Sequence, residues 1–268
     1  MAYGWVIAIL EILIFFIITY VCKKRVAVLS NINPICYYWL CMTILTGIWE
    51  ASYISNYHEI EGIAKDLITN KEHAWTNQYS LSYVWPWKLA KIFYAEYGAW
   101  ADREYMSLTD VWSHTIEGTH ALFCASFALG GMITRLDKKT VKSLIMVGMA
   151  MAFQLMNSIL YMVEYSIQCN DKDSVNFNTP SFPTGIAMVK RFFMWVNIFW
   201  ILMPSYIIWY ELRNVKIISV PKNNDNANAN ANAYADSNSN KSKDIEYTLE
   251  TPPAYGVNDK LIDEQHIN

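Results

Sequence analysis

Long apolar segments alternate with polar loops along most of this chain. Five of these segments are continuous enough and, at about 20 residues, long enough to cross a bilayer as α-helices. They cover roughly residues 5–22, 35–54, 111–133, 143–163 and 192–210. The pattern therefore predicts an all-α membrane protein with five transmembrane helices.

Composition and charge agree with a membrane setting, since 53% of the residues are hydrophobic and 15% are aromatic. Lys and Arg accumulate on the cytosolic side of short loops. Basic clusters follow the first span at 23–25, the third at 135–139 and the fifth at 213–216. This spacing predicts a lumenal N-terminus and a cytosolic C-terminus. Lys190 and Arg191, at the start of the fifth span, run against the pattern.

The same pattern divides the chain into three parts. Residues 1–34 hold the first helix and a cytosolic loop, and residues 35–210 form a four-helix membrane domain with a lumenal insertion at 55–110. After about residue 218 the stretch NNDNANANANAYADSNSNKSK is rich in Asn and poor in large apolar residues. Such a segment buries too little apolar surface to offset ordering, so residues 219–268 are predicted to form a disordered cytosolic tail.

Polar side chains form a stripe on four of the predicted spans. An ionisable group near the bilayer centre costs about 2.5–3.5 kcal/mol on insertion scales, so such residues usually face the bundle interior and mark function. The residues that share a face are Thr43, Thr46 and Glu50 in the second span, Asp110, His114 and Glu117 in the third with His120 turned slightly away, Gln154, Asn157, Tyr161 and Glu164 in the fourth, and Asn197 and Trp200 in the fifth. Pro204 predicts a kink in the fifth span.

Two interpretations of these stripes are open. Polar residues can simply hold membrane helices together by hydrogen bonds, and this explains Glu11, which is alone in the first span. Helix association does not require several titratable groups, however, so Glu50 and Glu117 together with His120 favour proton-transfer chemistry in a dry pocket.

The number of histidines argues against a metal site, and the net charge argues against binding of nucleic acid. The chain has only five histidines and no His-rich boxes of the kind that hold di-iron centres, so we expect no metal site. A net charge of -3 gives no reason to expect nucleic acid as a partner.

Three stretches occur in the order found in a known family. They are EYGAWADREYMSLTD (96–110), which runs into the helix with Glu117, then QLMNSILYMVE (154–164), then VNIFWILMP (196–204). Together they resemble the emopamil-binding protein family, also called the EXPERA domain family, over roughly residues 35–210. The resemblance implies five membrane helices that enclose a lipid-accessible cavity.

The family's functional residues carry over to specific positions. Its second-helix glutamate corresponds to Glu50, its third-helix glutamate to Glu117, and its fifth-helix Asn and Trp to Asn197 and Trp200. The isomerases of the family have a histidine four residues before the second-helix glutamate, where this chain has Thr46. They have a threonine three residues after the third-helix glutamate, where this chain has His120.

The best-known members are sterol delta-8 to delta-7 isomerases of the endoplasmic reticulum, so the resemblance implies a cofactor-independent isomerase in that membrane. A proton is added to one alkene carbon and another is removed from the neighbouring ring carbon. Glu50 or Glu117 suits the role of donor, because an apolar site can keep a carboxyl protonated.

Aromatic side chains suit the carbocation that forms between the two proton transfers. Trp49, Tyr161 and Trp200 are expected around it. His120 is expected to share a proton with Glu117, while His114 mainly packs.

The expected partners are a sterol substrate, the lipid bilayer and hydrophobic amines that mimic the cation. A homodimer is left open. The alternative function is a non-catalytic sterol- or lipid-binding protein of the same family, which Thr46 favours.

Overall fold

The computed structural model describes residues 1–107, 112–137, 140–182, 186–214, 216–220 and 246–250. Most of these residues are helical, as the apolar pattern predicts. They belong to two compact units, residues 1–210 and 211–268. The candidate site described below lies in the first unit.

Eight α-helices and two short strand pairs make up the regular structure of the described residues. The helices are α1 Gly4–Arg25, α2 Ala27–Ser30, α3 Pro34–Ser55, α4 Tyr57–Asn70, α5 Pro86–Trp100, α6 Gly118–Leu136, α7 Thr140–Gln168 and α8 Phe199–Asn214. Short 3-10 segments cover Ala74–Thr76, Leu81–Val84, Arg103–Met106, Met188–Lys190 and Phe192–Ile198, and a π-helical turn covers Trp112–Glu117. Strand β1 (Ala2–Tyr3) pairs antiparallel with β2 (Gln78–Tyr79), and β3 (Lys216–Val220) pairs antiparallel with β4 (Glu246–Glu250).

Four helical segments in the described part of the chain are long and apolar enough to cross a membrane. They are Gly4–Arg25, His114–Leu136, Thr140–Gln168 and Phe192–Asn214. The second predicted span forms α3, which has 22 residues and therefore sufficient length. Tyrosines, tryptophans and polar residues lower its hydropathy below that of the other four segments. The multi-pass membrane class is thus confirmed, whereas α3 as a fifth span stays a prediction.

Local sequence explains where α3 begins and how closely it packs. The Asn33 side chain accepts hydrogen bonds from the backbone N–H groups of Ile35 and Cys36, and Pro34 occupies the first helical position. Further along, α3 meets α6 at Gly47, where any Cβ would overlap the Cβ of Ala125. Small residues at such crossings let membrane helices approach closely.

Two clusters of buried apolar residues lie along α3 and α7. One contains Leu40 and Val147, and the other contains Tyr53 and Tyr165. The intervening turns include Thr43, Thr46 and Glu50 of α3 and Gln154 and Asn157 of α7. This part of the polar stripes therefore lies between two apolar clusters.

Three local features differ from the sequence prediction. The third span does not begin with a regular α-helical step, because 112–117 is a π-helical turn, and the fifth begins with the 3-10 segment 192–198. Hydropathy cannot distinguish these hydrogen-bond registers. The tail predicted to be disordered from residue 219 contains β4 and the end of β3, whose β-branched and aromatic residues favour strands. The rest of that tail lies outside the described residues.

Candidate functional site

A cavity lies among α3, α5, α6, α7 and the 3-10 segment 192–198. The cavity has a volume of about 180 Å³, which is space for many waters or one organic molecule. Its lining includes all eight residues that were predicted to act in catalysis or substrate binding, namely Thr46, Trp49, Glu50, Glu117, His120, Tyr161, Asn197 and Trp200. The structure thus brings together residues from four different predicted spans, while their chemical roles stay predictions.

Glu50 lies on the α3 side of the cavity and is buried. Its Oε1 accepts a hydrogen bond of 2.5 Å from the Tyr94 hydroxyl of α5. Its Oε2 is also buried but has no hydrogen-bond partner in the described part of the chain. Leaving a buried polar atom unpaired costs about 1–3 kcal/mol, so such an atom in a cavity wall points to a ligand that would satisfy it.

Glu117 also lines the cavity and lies at the end of the π-helical turn. Its Oε1 accepts a hydrogen bond of 2.9 Å from the Asn157 side-chain amide of α7. His120 follows one turn later, and its Nδ1 is 3.8 Å from Glu117 Oε2. That distance is too long for a hydrogen bond. Nδ1 of His120 is buried and unpartnered among the described residues, so a small rotation or a bound group can link it to Glu117.

Thr46 lies one turn before Glu50 on α3 and also lines the cavity. Its hydroxyl donates to the backbone carbonyl of Thr43 at 2.9 Å. The Thr46 hydroxyl proton is therefore used within its own helix. Thr46 and His120 lie in the walls of the same cavity.

Amide and indole groups form a further part of the cavity wall. Gln154 accepts a hydrogen bond of 2.8 Å from the indole N–H of Trp39. The Trp39 ring in turn lies 4.9 Å from the ring of Trp200. Asn197, three residues before Trp200, lines the cavity from the 3-10 segment. Its amide nitrogen lies 3.8 Å from the sulfur of Met194.

The aromatic wall supplied by α5 was not found from the sequence. Phe93, Tyr94 and Tyr97 of α5 and Tyr105 of the next turn line the cavity. The ring planes of Tyr94 and Tyr105 are 6° from parallel at 5.5 Å. The available signal was the spacing of apolar and aromatic residues within 86–100, which fits one face of a helix. The prediction treated that segment only as part of a lumenal insertion.

A buried polar network lies behind Tyr161 and was also missed. The Tyr161 hydroxyl donates to Asp102 Oδ2 at 2.6 Å and lies 2.7 Å from the Tyr97 hydroxyl. Asn176 donates to the other oxygen of Asp102 at 2.7 Å. Burial raises the pKa of the Asp102 carboxyl above its usual value, although the hydrogen bonds from Tyr161 and Asn176 oppose that rise. The network fixes the position of Tyr161 in the cavity wall.

Arg191 extends this network and explains one irregularity in the charge pattern. Its side chain is 0% exposed, and its Nη1 donates to the Tyr165 hydroxyl at 2.8 Å and to the Asn176 carbonyl at 2.7 Å. Its guanidinium also lies over the rings of Tyr165 and Phe182. A buried and bonded arginine does not act as a loop charge, so Arg191 is weak evidence on orientation. Lys190 beside it is exposed.

Several polar residues of the predicted stripes do not line the cavity. His114 packs its ring 4.9 Å from that of Tyr57, in agreement with a packing role. Glu164 lies further along α7, where Gln168 contacts it at 3.5 Å. Thr43 is buried one turn below Thr46. Asp110 lies outside the described residues.

Glu11 joins helices, as the sequence predicts, but it does so at the cavity wall. Its Oε1 accepts a hydrogen bond of 2.9 Å from the indole N–H of Trp49. This contact connects α1 to the cavity-lining side chain that precedes Glu50. Among the described residues no group of three or more His, Cys, Asp or Glu side chains is arranged to hold a metal ion.

No match to the chain was found among protein-family models, curated proteins or solved structures. Its chemistry must therefore be inferred from the cavity itself. Two buried carboxyl groups from different spans, a histidine beside one of them and a largely aromatic lining can exchange protons with an apolar molecule and surround a cation.

Proposed function

We propose that this chain is a membrane-embedded sterol isomerase that moves a ring double bond from the delta-8 to the delta-7 position without a cofactor. The observation that carries the proposal is the pair of buried carboxyl groups, Glu50 and Glu117, in one aromatic cavity. The reaction requires one proton to be added and another to be removed, so two acid–base groups in a water-poor site fit it.

Glu117 is the proposed proton donor. It adds its proton to carbon 9 of the sterol, the electrons of the 8,9 double bond form the new C–H bond, and a tertiary cation remains at carbon 8. Glu117 suits this step because His120 lies 3.8 Å from its second oxygen and can return a proton to it.

Glu50 is the proposed proton acceptor. It removes a proton from carbon 7, and the electrons of that C–H bond form the 7,8 double bond and discharge the cation. Its unpartnered Oε2 is the atom that takes the proton, while the Tyr94 hydroxyl holds Oε1 in place. Each turnover thus adds one proton to the sterol and removes one proton from it, and the sterol is neither oxidised nor reduced.

The carbocation is stabilised by the cavity wall between these two steps. Trp49 and Trp200 present indole rings to the cavity, and Tyr161 presents a ring that the Asp102 network holds in place. Aromatic faces attract cations by about 0.5–2 kcal/mol each, more where water is excluded. The preorganised rings therefore favour the intermediate over the neutral sterol.

The proposed setting is the endoplasmic reticulum membrane, with α3 as the second of five spans, a lumenal N-terminus and a cytosolic C-terminus. The basic cluster 23–25 at the end of α1 supports this orientation. Lys23 donates to the carbonyls of Leu29, Ser30 and Ile32, so the α1–α2 turn is ordered around a basic side chain.

A second candidate function is non-catalytic sterol or lipid binding in the same cavity. The observation that favours it is the Thr46 hydroxyl, which bonds to its own helix and does not replace the histidine of the isomerases. In that case the two carboxyl groups bind polar or cationic groups of a ligand and transfer no proton to carbon.

The test is conversion of a delta-8 sterol by the purified chain in nanodiscs. The reaction is run in deuterated water, and the product is analysed by mass spectrometry. We expect a delta-7 product with one deuterium at carbon 9, because that hydrogen comes from an exchangeable acid. Glu117→Gln should abolish conversion, whereas Asp66→Asn, on the exposed face of α4, should not change it.

Binding without conversion would contradict the isomerase and support the second candidate. Conversion without deuterium at carbon 9 would exclude protonation by an exchangeable group. A second test expresses the chain in cells that lack the isomerase. If delta-8 sterols persist there although the chain is correctly located, the result would contradict isomerase activity, as failed conversion in vitro would.

A further inference from the structure

Three large apolar side chains stand exposed just before and at the start of α5. Leu81 is 57% exposed, Trp85 is 54% exposed and Trp87 is 49% exposed. The two indole rings stack at 5.3 Å with planes 14° apart, so they form one rigid plate. The two stacked rings make a contiguous exposed apolar surface, with Leu81 exposed four residues before Trp85, and such surface marks a contact with a partner or a membrane.

Two contacts show at which end of the apolar helices this surface lies. The Ser52 hydroxyl, in the last turn of α3, donates to the Trp87 carbonyl at 2.6 Å. The segment before Leu81 pairs with the chain at the start of α1, where Gly4 N–H donates to the Asn77 carbonyl at 2.9 Å. The surface therefore lies at the same end of the molecule as the first turn of α1.

That end of α1 has the properties of a membrane–water interface. Tyr3 and Trp5 are exposed there, and Lys24 lies at the opposite end of the helix. The distance from Trp5 to Lys24 is about 28 Å at 1.5 Å per residue. This is close to the hydrocarbon thickness of about 30 Å, and Trp and Tyr concentrate at its two borders.

The neighbouring helix α4 shows which side of the insertion faces water. Its buried face, which includes Ile60 and Leu67, packs in the same apolar cluster as α5, and its outer face exposes Lys65 and Asp66. The polar face and the stacked indoles thus belong to one packed insertion. An insertion that exposes a polar face to water and tryptophan side chains beside it is suited to lie at the surface of a bilayer.

We propose that Leu81, Trp85 and Trp87 form a lipid anchor, which docks the insertion 55–110 into the headgroup region of the bilayer on the side of the N-terminus. The occupant of this surface is phospholipid, because the surface continues the aromatic border that begins at Tyr3 and Trp5. Interfacial segments of this kind sit about 5–10 Å deep at the headgroup–acyl boundary.

The anchor matters for the cavity because α5 starts from it. Seven residues after Trp87, the Tyr94 hydroxyl bonds Glu50, and Tyr97 bonds Tyr161 one turn later. Docking of Trp85 and Trp87 in the bilayer therefore fixes the first turn of the helix that forms one wall of the cavity. The anchor does not depend on the proposed isomerase activity.

The test measures the depth of nitroxide labels in the full chain, reconstituted in phosphatidylcholine nanodiscs. Labels are attached at Trp87→Cys and, separately, at Leu81→Cys, in a Cys22→Ser background because Cys22 is the exposed native cysteine of the described residues. Asp66→Cys on α4 is the matched control. Collision with dissolved oxygen and with a water-soluble nickel complex is read by electron paramagnetic resonance.

We expect labels at 87 and 81 to collide readily with oxygen and to be at least about fivefold less accessible to nickel than the label at 66. Nickel accessibility equal to that of the control would show that the insertion stands in water, and the proposal fails. Protection from both reagents would show that protein, not lipid, covers the surface, and would overturn it equally.

Discussion

At the scale of single residues, Glu50 and Glu117 each accept a hydrogen bond from a neutral group in the cavity wall, Tyr94 in one case and Asn157 in the other. A neutral donor orients a carboxyl group without cancelling its charge. The cavity therefore retains the capacity to bind a cation, and a hydrophobic amine is the stable cation that best imitates the proposed intermediate.

We accordingly expect Glu50→Gln and Glu117→Gln each to weaken the binding of a hydrophobic tertiary amine by about 10- to 100-fold, which corresponds to about 1.4–2.7 kcal/mol. Glutamine keeps the shape and the acceptor oxygen, so the loss reports the charge. Competition binding with purified protein measures it, and Asp66→Asn is the control. Unchanged affinity in both variants would contradict a cation-stabilising cavity.

His120 and Thr46 give a second residue-scale prediction. If His120 supplies the proton-sharing role of the histidine missing at position 46, His120→Thr should abolish turnover and spare amine binding. Adding Thr46→His should then restore part of the activity, because both positions line the same cavity. Sterol conversion by the two variants is the measurement. Turnover of His120→Thr at the parent rate would show that His120 only packs.

Sequence reasoning identified the charged residues in apolar segments and also Asn157, which bonds Glu117, but it did not identify Tyr94 or Asp102. A carboxyl group inside a span is conspicuous, so Glu50 and Glu117 could be identified without a structure. Tyr94 lies 44 residues from Glu50, and Asp102 lies 59 residues from Tyr161. A tyrosine or an aspartate in a segment predicted as a lumenal insertion looks ordinary until tertiary packing places Tyr94 in the cavity wall and Asp102 behind it.

At the scale of elements, α3 packs closely on α6 beside residues that line the cavity. Gly47 lies next to Thr46, and a side chain there would strike Ala125. Because Ala125 follows the cavity-lining Cys124, any shift that relieves this overlap also moves the α6 wall.

We expect Gly47→Ala to destabilise the folded protein by about 1–3 kcal/mol through overpacking and to weaken amine binding as well. Gly148→Ala in α7 is the matched control, since nothing lies within 4 Å of its added Cβ and alanine favours a helix. Thermal unfolding of both variants in the same detergent measures the difference. Equal stability of the two variants would argue against close α3–α6 contact.

Helix positions were predictable because apolar length governs membrane crossing, but helix type was not. The π-helical turn 112–117 and the 3-10 segment 192–198 each stand at the start of a span and carry site residues, Glu117 and Asn197. Irregular turns of this kind often occur at functional sites. Only the backbone hydrogen bonds show them, and hydropathy does not report those bonds.

At the scale of the whole molecule, the cavity is assembled from segments that are remote in sequence but confined to residues 1–210. Contacts between the insertion and the membrane helices decide its shape, and apolar periodicity does not specify how such pieces dock. The unit 211–268 contributes no residue to the cavity among those that the structure describes.

Deletion of residues 219–268 should therefore leave the folded membrane unit and its amine affinity unchanged, within about 0.5 kcal/mol, since substitutions and cuts away from packed features have small effects. Thermal unfolding and amine binding of the truncated chain in nanodiscs are the measurements. Glu11→Ala shows that the assay is sensitive, because losing the bond to Trp49 should lower stability by about 1–3 kcal/mol. If truncation lowers stability as much as Glu11→Ala does, or lowers amine affinity, the tail contributes to folding or to ligand binding.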